Sequence, residues 1–212
     1  MTPAPRLSSS DAVAVVRSLA SAGRRTVLGI VGCPGAGKST LSDAIAADLG
    51  PLVVIVPMDG FHLANEVLER HGTRQRKGAP ETFDAVGYLS LLARLRAQRP
   101  GDAPVYAPRY DRAASASIGG AIEVDSATPL VVTEGNYLLL DDAPWAGVRA
   151  ELDECWFVEV DDAVRVPRLI ARHIAFGKTP EAAEEWVMRS DEANAALVKR
   201  SAGRADRVVV IS

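Results

Sequence analysis

The sequence has little of what would mark a secreted, metal-binding or membrane protein. Only two cysteines occur among 212 residues, and Cys33 and Cys155 lie too far apart for a metal-ligand motif. So few cysteines favour a reducing compartment, and we predict a cytoplasmic location. No run of about 18 apolar residues is present, so no membrane span is expected. The N-terminus also lacks the basic head and apolar stretch of a signal peptide.

An excess of charge of one sign is missing as well. The formal net charge is −3, and lysine, arginine, aspartate and glutamate are interspersed without a long block of either sign. This balance argues against a general nucleic-acid binder. Hydrophobic residues make up 48% and charged residues 24%, which is ordinary for a soluble globular protein. The length suits one domain spanning residues 1–212, with the first ten residues, rich in proline and serine, predicted to be frayed.

What the sequence does contain is an alternation of apolar runs and amphipathic segments. The apolar runs predict strands at 26–31, 52–56, 129–135, 155–160 and 207–211, and the helical spacing predicts helices at 11–22, 38–49, 84–98, 163–175 and 180–199. Strands of this kind between helices are typical of a parallel sheet covered on both faces, an α/β fold in three layers. Residues 62–83 look irregular, and short strands are predicted at 104–108 and 122–124. Pro167 must either lie in the first turn of its helix or kink it.

The segment GCPGAGKS, residues 32–39, matches the phosphate-binding loop pattern G-x-x-x-x-G-K-[ST], between a predicted strand and a predicted helix. Its glycines would permit unusual backbone angles, so that N–H groups turn towards a polyphosphate. Lys38 is expected to neutralise the β- and γ-phosphates, and Ser39 to hold Mg²⁺ through its hydroxyl. The predicted nucleotide-binding residues are Gly32, Cys33, Pro34, Gly35, Ala36, Gly37, Lys38, Ser39 and Thr40. A nucleoside triphosphate with Mg²⁺ is therefore implied.

Two acidic residues follow the ends of the second and third predicted strands. Ligands of parallel sheets gather at the carboxyl ends of the strands, so Asp59, Glu134 and the phosphate-binding loop should converge. Asp59 would accept a proton from an attacking hydroxyl or orient it, and Glu134 would act on Mg²⁺ or its waters. The alternatives are a simple Asp-Gly turn at Asp59 and a buried, ion-paired acid at Glu134.

Three functions compete for such a loop. A GTPase of the common kind should carry an N-K-x-D segment, which is absent. A motor ATPase usually has a strand ending in Asp-Glu, whereas this strand ends in Glu134 alone, and a transporter ATPase would be longer. Transfer of a phosphoryl group to a small-molecule hydroxyl accounts for more residues. The alternative is a nucleotide-binding ATPase or regulator that phosphorylates no acceptor.

The segments GCPGAGKST, PMDGFH, RKGAPETFD, VYAPRYDR and VVTEGNYLLL together resemble the uridine kinase, phosphoribulokinase and bacterial-type pantothenate kinase superfamily, in particular its nucleoside/nucleotide kinase-like branch. The resemblance runs from about residue 26 to 211. It implies a P-loop kinase fold with a five-stranded parallel core in the order 2-3-1-4-5. It also implies acceptor-side insertions at about 60–83 and 99–128, and a helical lid at about 168–190. ATP would be the donor, the acceptor would be a small hydroxyl compound, and similar kinases are commonly homodimers.

The resemblance also assigns individual roles. Asp59 matches the acid that faces the acceptor hydroxyl, and Glu134 matches the acid that ends the third strand. Arg172 matches the lid arginine that approaches the transferring phosphoryl group, flanked by Arg168. With Lys38, the residues Asp59, Glu134 and Arg172 form the predicted catalytic set. The predicted acceptor-binding residues are Asp59, His62, Arg76, Lys77, Tyr106 and Arg109.

Two further features of the sequence are a segment that differs from its counterpart in uridine kinases and a cysteine within the phosphate-binding loop. Uridine kinases have a DSFY-like segment where this chain has Asp59-Gly60-Phe61-His62, which weakens uridine or cytidine as the acceptor. The acceptor therefore stays open between a nucleoside, a pantothenate-like amide and a sugar. The thiol of Cys33, beside a helix N-terminus, is a candidate for a lowered pKa and for oxidation, but not for catalysis.

Overall fold

The computed structural model describes residues 3–211, and the fold is built on a parallel sheet. The strands are β1 (Arg6–Ser8), β2 (Thr26–Gly32), β3 (Val53–Pro57), β4 (Val105–Asp111), β5 (Ala116–Val124), β6 (Leu130–Gly135), β7 (Glu154–Glu159) and β8 (Arg207–Val210). The α-helices are α1 (Ser9–Ala20), α2 (Lys38–Leu49), α3 (Asn65–Arg70), α4 (Ala85–Ala97), α5 (Asp162–Ala175), α6 (Pro180–Trp186) and α7 (Glu192–Ser201). A π-helical turn, Val187–Asp191, joins α6 to α7.

Six of these strands form one parallel sheet in the order β1-β8-β7-β2-β6-β3. The five strands predicted from the sequence keep the predicted order, and β1 adds a sixth at the edge. Every residue of β2 and β6 is buried, because each has a strand on both sides and covered faces. The carboxyl ends of β2, β6 and β3 consequently lie side by side at one edge of the sheet.

Residues 6–10 correct the expectation that the first ten residues are frayed, while residues 1 and 2 lie outside the described range. Arg6, Leu7 and Ser8 pair in parallel register with β8. The Ser8 hydroxyl then accepts a hydrogen bond from the backbone N–H of Asp11 at 3.1 Å and caps α1. The prediction failed because a three-residue edge strand is too short to show an apolar pattern.

The region between α4 and β6 contains more regular structure than the sequence indicated. Strands β4 and β5 form a separate antiparallel hairpin, longer than the two short strands predicted there. The hairpin packs on the turn that follows β3. A Cβ at Gly60 would lie 2.3 Å from the backbone oxygen of Pro108, so only glycine permits this approach. Residues 62–83, predicted to be irregular, contain the short helix α3.

The C-terminal helices carry the segment predicted to be the lid. Pro167 lies in the second turn of α5, which continues to Ala175, instead of in the first turn. Gly177 follows with a φ of +93°, and Thr179 caps α6 through the backbone N–H of Ala182 at 3.3 Å. The single helix predicted over 180–199 is interrupted by the π-helical turn. Within residues 3–211, no helix combines the length and the apolar character that crossing a membrane requires.

Candidate active site

The carboxyl ends of β2, β3 and β6 open into a cavity of about 830 Å³ that lies between the phosphate-binding loop and the C-terminal helices. Lys38 and Asp59, the two residues on which the kinase hypothesis depends, both line it. The other predicted site residues that line the cavity are Pro34, Gly35, Ala36, Gly37, Ser39, Thr40, His62, Lys77, Glu134, Arg168 and Arg172. The strands therefore bring together most of the residues that the sequence singled out.

The phosphate-binding loop needs its glycines for two different reasons. Gly35 and Gly37 have φ angles of +78° and +90°, which other residues rarely adopt. Gly32 does not, contrary to the expectation for all three glycines. At Gly32 an added Cβ would lie 2.9 Å from the backbone oxygen of Val158, so close packing on β7 requires the glycine. Gly32 is also not among the residues that line the cavity.

The side chain of Lys38 extends back towards the start of the phosphate-binding loop. Its Nζ donates to the carbonyl oxygens of Gly32 at 3.0 Å and Cys33 at 3.1 Å, and to Oδ1 of Asn136 at 2.8 Å. Burial lowers the pKa of this ammonium, while Glu134 opposes the shift. All three acceptors are neutral, so an incoming phosphate would offer Lys38 its first anionic hydrogen-bond partner.

Ser39 and Glu134 form the candidate metal pair. The Ser39 hydroxyl donates to Oε1 of Glu134 at 2.9 Å. Burial raises the pKa of Glu134, with Lys38 acting in the opposite direction. Within residues 3–211, no group of three histidine, cysteine or acidic side chains could hold a metal alone. A hydroxyl and one carboxylate beside a phosphate site nevertheless fit Mg²⁺, which usually keeps several waters and takes substrate phosphates as ligands.

Asp59 lies in the 3₁₀ turn after β3, and its carboxylate is about one third exposed. Its Oδ2 is 3.2 Å from Nη2 of Arg112, which comes from the turn of the β4–β5 hairpin. The backbone oxygen of Asp59 accepts from Nδ1 of His62 at 2.8 Å. This contact places the proton of the neutral imidazole on Nδ1 and leaves Nε2 as an acceptor. Burial lowers the pKa of His62 and so favours the neutral ring.

The side of the cavity where the sequence predicts the acceptor is lined by the segment after β3 and by the hairpin. The ring of His62 packs between Phe83 and Tyr110, with ring centres 4.1 Å and 4.5 Å away. Lys77 Nζ donates to Oδ1 of Asn65 at 2.6 Å and to the backbone oxygen of Ser115 at 2.9 Å. These groups offer both aromatic surface and hydrogen-bond donors beyond Asp59.

Five predicted residues do not line the cavity: Gly32, Cys33, Arg76, Tyr106 and Arg109. Arg76 points outward, where its Nη2 pairs with Glu81 at 2.7 Å and 69% of its side chain is exposed. Tyr106 and Arg109 lie on the exposed side of β4, where a register shift between Ala107 and Arg109 breaks the simple alternation. The hairpin residues that line the cavity are instead Tyr110, beyond this shift, and Arg112 and Ser115 in the turn.

Cys33 also departs from its prediction. The thiol is buried, and its Sγ is 3.7 Å from the backbone oxygen of Ala195. Burial raises its pKa, although the cationic side chains of Arg165, Lys199 and Lys38 act in the opposite direction. The hypothesis of a lowered pKa at the helix N-terminus was therefore wrong, because loss of hydration outweighs the nearby positive charge.

Sequence reasoning missed several residues that build the site. Asn136 and Arg112 belong to the quoted segments TEGNY and YDR, so the motifs contained them without indicating their roles. Arg165 gave no signal, yet its guanidinium is 1% exposed and its Nη1 donates to the backbone oxygen of Pro34 at 3.1 Å. The further cavity-lining residues that were missed are Arg74, Gly78, Phe83, Tyr110, Ser115, His173, Lys178, Trp186, Asp191, Asn194 and Ile211.

Comparison with known proteins gives consistent results. The family model "Phosphoribulokinase / Uridine kinase family" matches residues 27–211. The protein YggC of Escherichia coli K12 is 38% identical over 191 residues, covering 88% of this chain and 78% of YggC. "Putative uridine kinase C227.14" of Schizosaccharomyces pombe is 33% identical over 189 residues, covering 84% of this chain and 80% of that protein. A crystal structure from Silicibacter sp. TM1040, described as a "putative fructose transport system kinase", superposes with a TM-score of 0.84 and 36% identity, covering 95% of this chain and 98% of that one.

Proposed function

The chain belongs to the phosphoribulokinase / uridine kinase family of P-loop kinases, and from that premise we propose that it transfers the γ-phosphoryl group of ATP to a hydroxyl of a small molecule. The acceptor is a nucleoside, a pantothenate-like compound or a sugar, the classes that the sequence left open. The proposal concerns the reaction and the roles of the residues around the cavity.

The single observation that carries the proposal is that Lys38 and Asp59 line one cavity, which continues past Asp59 to Lys77 and Tyr110. A protein that only hydrolyses ATP needs no pocket on the far side of its catalytic acid. A kinase needs such a pocket, because the acceptor hydroxyl must lie in line with the bond that breaks. The shape of the cavity thus supports phosphoryl transfer over plain hydrolysis.

Each residue has a role in that reaction. The acceptor oxygen forms a bond to the γ-phosphorus, the bond from that phosphorus to the β–γ bridging oxygen breaks, and ADP leaves. Asp59 orients the acceptor hydroxyl and takes its proton. Lys38 and the lid arginines Arg172 and Arg168 stabilise the charge on the transferred group. Bound Mg²⁺, held by Ser39 and Glu134 together with phosphate oxygens, would offset the charge of the nucleotide.

The experiment is a screen for acceptor-dependent ADP release, with nucleosides, pantothenate and sugars as acceptors, followed by the Asp59→Asn variant. We expect one class to stimulate ADP release, and we expect Asp59→Asn to lower kcat by about 100-fold or more. The affinity for ATP, measured by calorimetry, should stay within about twofold of the original. Stimulation by no acceptor, with ATP still hydrolysed, would favour the ATPase alternative. Turnover of Asp59→Asn at the wild-type rate would contradict the role assigned to the Asp59 carboxylate.

A further inference from the structure

Resting on the proposed function, we infer that the acceptor carries an anionic group, a carboxylate or a phosphate, and that Lys77 and Arg74 bind it. Both side chains line the cavity, and both belong to the segment between β3 and α4. The inference adds a substrate class and a binding subsite to the reaction proposed above.

The position of the two cations separates them from the nucleotide. The phosphate-binding loop follows β2, and Ile211, just after β8, approaches within 3.0 Å of the position of a Cβ on Gly37. Strands β7 and β8 thus flank the loop on one side of the sheet, whereas β6 and β3 lie on the other. Lys77 and Arg74 come after β3 and Asp59, at the far end of this order. Lys77 contacts Ser115 and Tyr110 of the β4–β5 hairpin, which also carries Arg112, the partner of Asp59. Arg74 lines the same cavity three residues earlier, and we assign both cations to the acceptor side.

Neither cation has an acidic partner within residues 3–211. Lys77 is half-buried, and its ammonium contacts the neutral oxygens of Asn65 and Ser115 and lies 5.2 Å from the ring centre of Tyr110. Arg74 is half-buried and forms no ion pair among the described residues, whereas nearby Arg76 pairs with Glu81 on the outer surface. Charges partly removed from water are costly unless a counter-ion is present. A bound anion would supply that counter-ion.

The overall charge of the cavity also favours an anionic acceptor. Seven lysine and arginine side chains line it, against three aspartate and glutamate side chains. The ammonium and guanidinium groups of Lys38, Arg168 and Arg172 face the phosphates of the donor in the proposed reaction. Magnesium-bound ATP is an anion that uses only part of this excess, because the metal cancels much of its charge. A neutral acceptor would leave the remaining cations without compensation.

The test uses pairs of hydroxyl compounds that differ in one anionic group. Suitable pairs are glycerol and glycerate, fructose and fructose 6-phosphate, panthenol and pantothenate, and uridine and uridine 3′-monophosphate, which keeps the 5′-hydroxyl free. We expect acceptor-dependent ADP release with a charged member, with a kcat/KM at least about tenfold above that of its neutral partner. Comparison of the carboxylates with the phosphates shows which anion the subsite takes. A neutral member used as well as or better than its charged partner would overturn the inference.

Variants of the two cations connect that preference to the subsite. Lys77→Gln and Arg74→Gln should each raise KM for the charged acceptor by about tenfold or more and leave KM for ATP unchanged. The matched control is Arg70→Gln, which removes an exposed cation of the same segment that does not line the cavity. Thermal unfolding of each variant identifies a loss of fold, and Lys77→Arg should recover part of the affinity. An unchanged preference in folded Lys77→Gln and Arg74→Gln would refute the assignment.

A binding measurement distinguishes failure of the subsite from failure of the proposed function. The same compounds are titrated calorimetrically into the protein with magnesium and a non-hydrolysable ATP analogue. Binding of charged compounds that is lost in Lys77→Gln, without turnover, would support the anion subsite and contradict the kinase reaction. Turnover of neutral compounds alone would support the kinase and contradict the subsite. The absence of both binding and turnover across the charged compounds would count against the subsite.

Discussion

Nη2 of Arg112 lies 3.2 Å from Oδ2 of Asp59, so an arginine of the β4–β5 hairpin holds the carboxylate proposed to receive the acceptor proton. The guanidinium of Arg112 also lies 5.9 Å from the ring centre of Phe176, at the end of α5. One side chain thus contacts both the proposed catalytic acid and the end of the helix in the segment predicted to be the lid.

From this contact we predict that Arg112→Gln lowers kcat/KM for the acceptor by about tenfold to 100-fold, since a hydrogen bond to a charged group is lost. KM for ATP should remain unchanged, because Arg112 orients Asp59 and not the nucleotide. Steady-state kinetics with each substrate varied in turn measures both effects. The matched control is Arg109→Gln, which removes the same charge from the exposed side of the hairpin. Equal losses in the two variants would show that Arg112 has no special role.

A second prediction concerns pH and Glu134. Burial raises the pKa of this carboxyl above its usual value of 4.5. The folded protein therefore binds the proton more tightly than the unfolded chain does. Stability should consequently decrease as the pH rises from 4.5 through the raised pKa. In the proposed reaction the Glu134 carboxylate holds Mg²⁺, so the affinity for ATP in the presence of Mg²⁺ should increase over the same window.

The variant Glu134→Gln removes the titrating group and should flatten both pH profiles. Urea unfolding at a series of pH values measures the stability, and calorimetry with and without Mg²⁺ measures the affinity for ATP. ATP without metal serves as the internal control, because its affinity should depend less on this carboxyl. A Glu134→Gln protein that kept the full pH dependence would show that another group is responsible.

The sequence predicted the parts of the site that strand ends determine. Apolar runs located β2, β3 and β6, and their parallel order was enough to bring Lys38, Asp59 and Glu134 to one cavity. Features that depend on the local backbone conformation were harder to predict from the sequence. A register shift in the β4–β5 hairpin separates Tyr110, which lines the cavity, from Tyr106, which does not, and its signal in the sequence is Gly119-Gly120 on β5, where Gly120 has a φ of +65°.

Contacts between residues far apart in the chain also could not be predicted from the sequence. Arg165 holds the backbone of Pro34, which is 131 residues away in the chain, and Arg112 reaches Asp59, which is 53 residues away. In the sequence each is one arginine among many, and only the fold shows which of them meet the site. The pKa of Cys33 was misjudged for the same reason, since its burial depends on packing against α7.

The third prediction tests Arg165 as the support of the phosphate-binding loop. Its buried guanidinium donates to Pro34, to Oδ1 of Asp162 at 2.9 Å and to Oε1 of Glu192 at 2.5 Å. Arg165→Met would leave the Glu192 carboxylate and the Pro34 carbonyl without this donor, while Asp162 keeps its contact with Lys199 at 2.5 Å. We expect a loss of about 3 kcal/mol in the free energy of unfolding. Urea denaturation measures this loss, and the affinity for ATP should fall because the loop loses its support.

The pair Arg17–Asp48 provides the control for Arg165. Its shortest contact is 2.6 Å, but 60% of the Arg17 side chain is exposed. Arg17→Met should therefore cost less than about 1 kcal/mol and leave ATP binding unchanged. A similar loss of stability in both variants would indicate that burial does not increase the contribution of Arg165 to the free energy of unfolding.

The last prediction concerns the thiol inside the phosphate-binding loop. Cys33 and Cys155 are both buried, and burial raises the pKa of each. In the native protein at neutral pH, we therefore expect both to react with a thiol reagent at least about tenfold more slowly than in urea. Cys33→Ala should retain ATP-dependent turnover, because the side chain does not line the cavity. Fast labelling of one thiol in the native protein, absent in Cys33→Ala and prevented by ATP, would show instead that the loop opens and exposes a reactive thiolate.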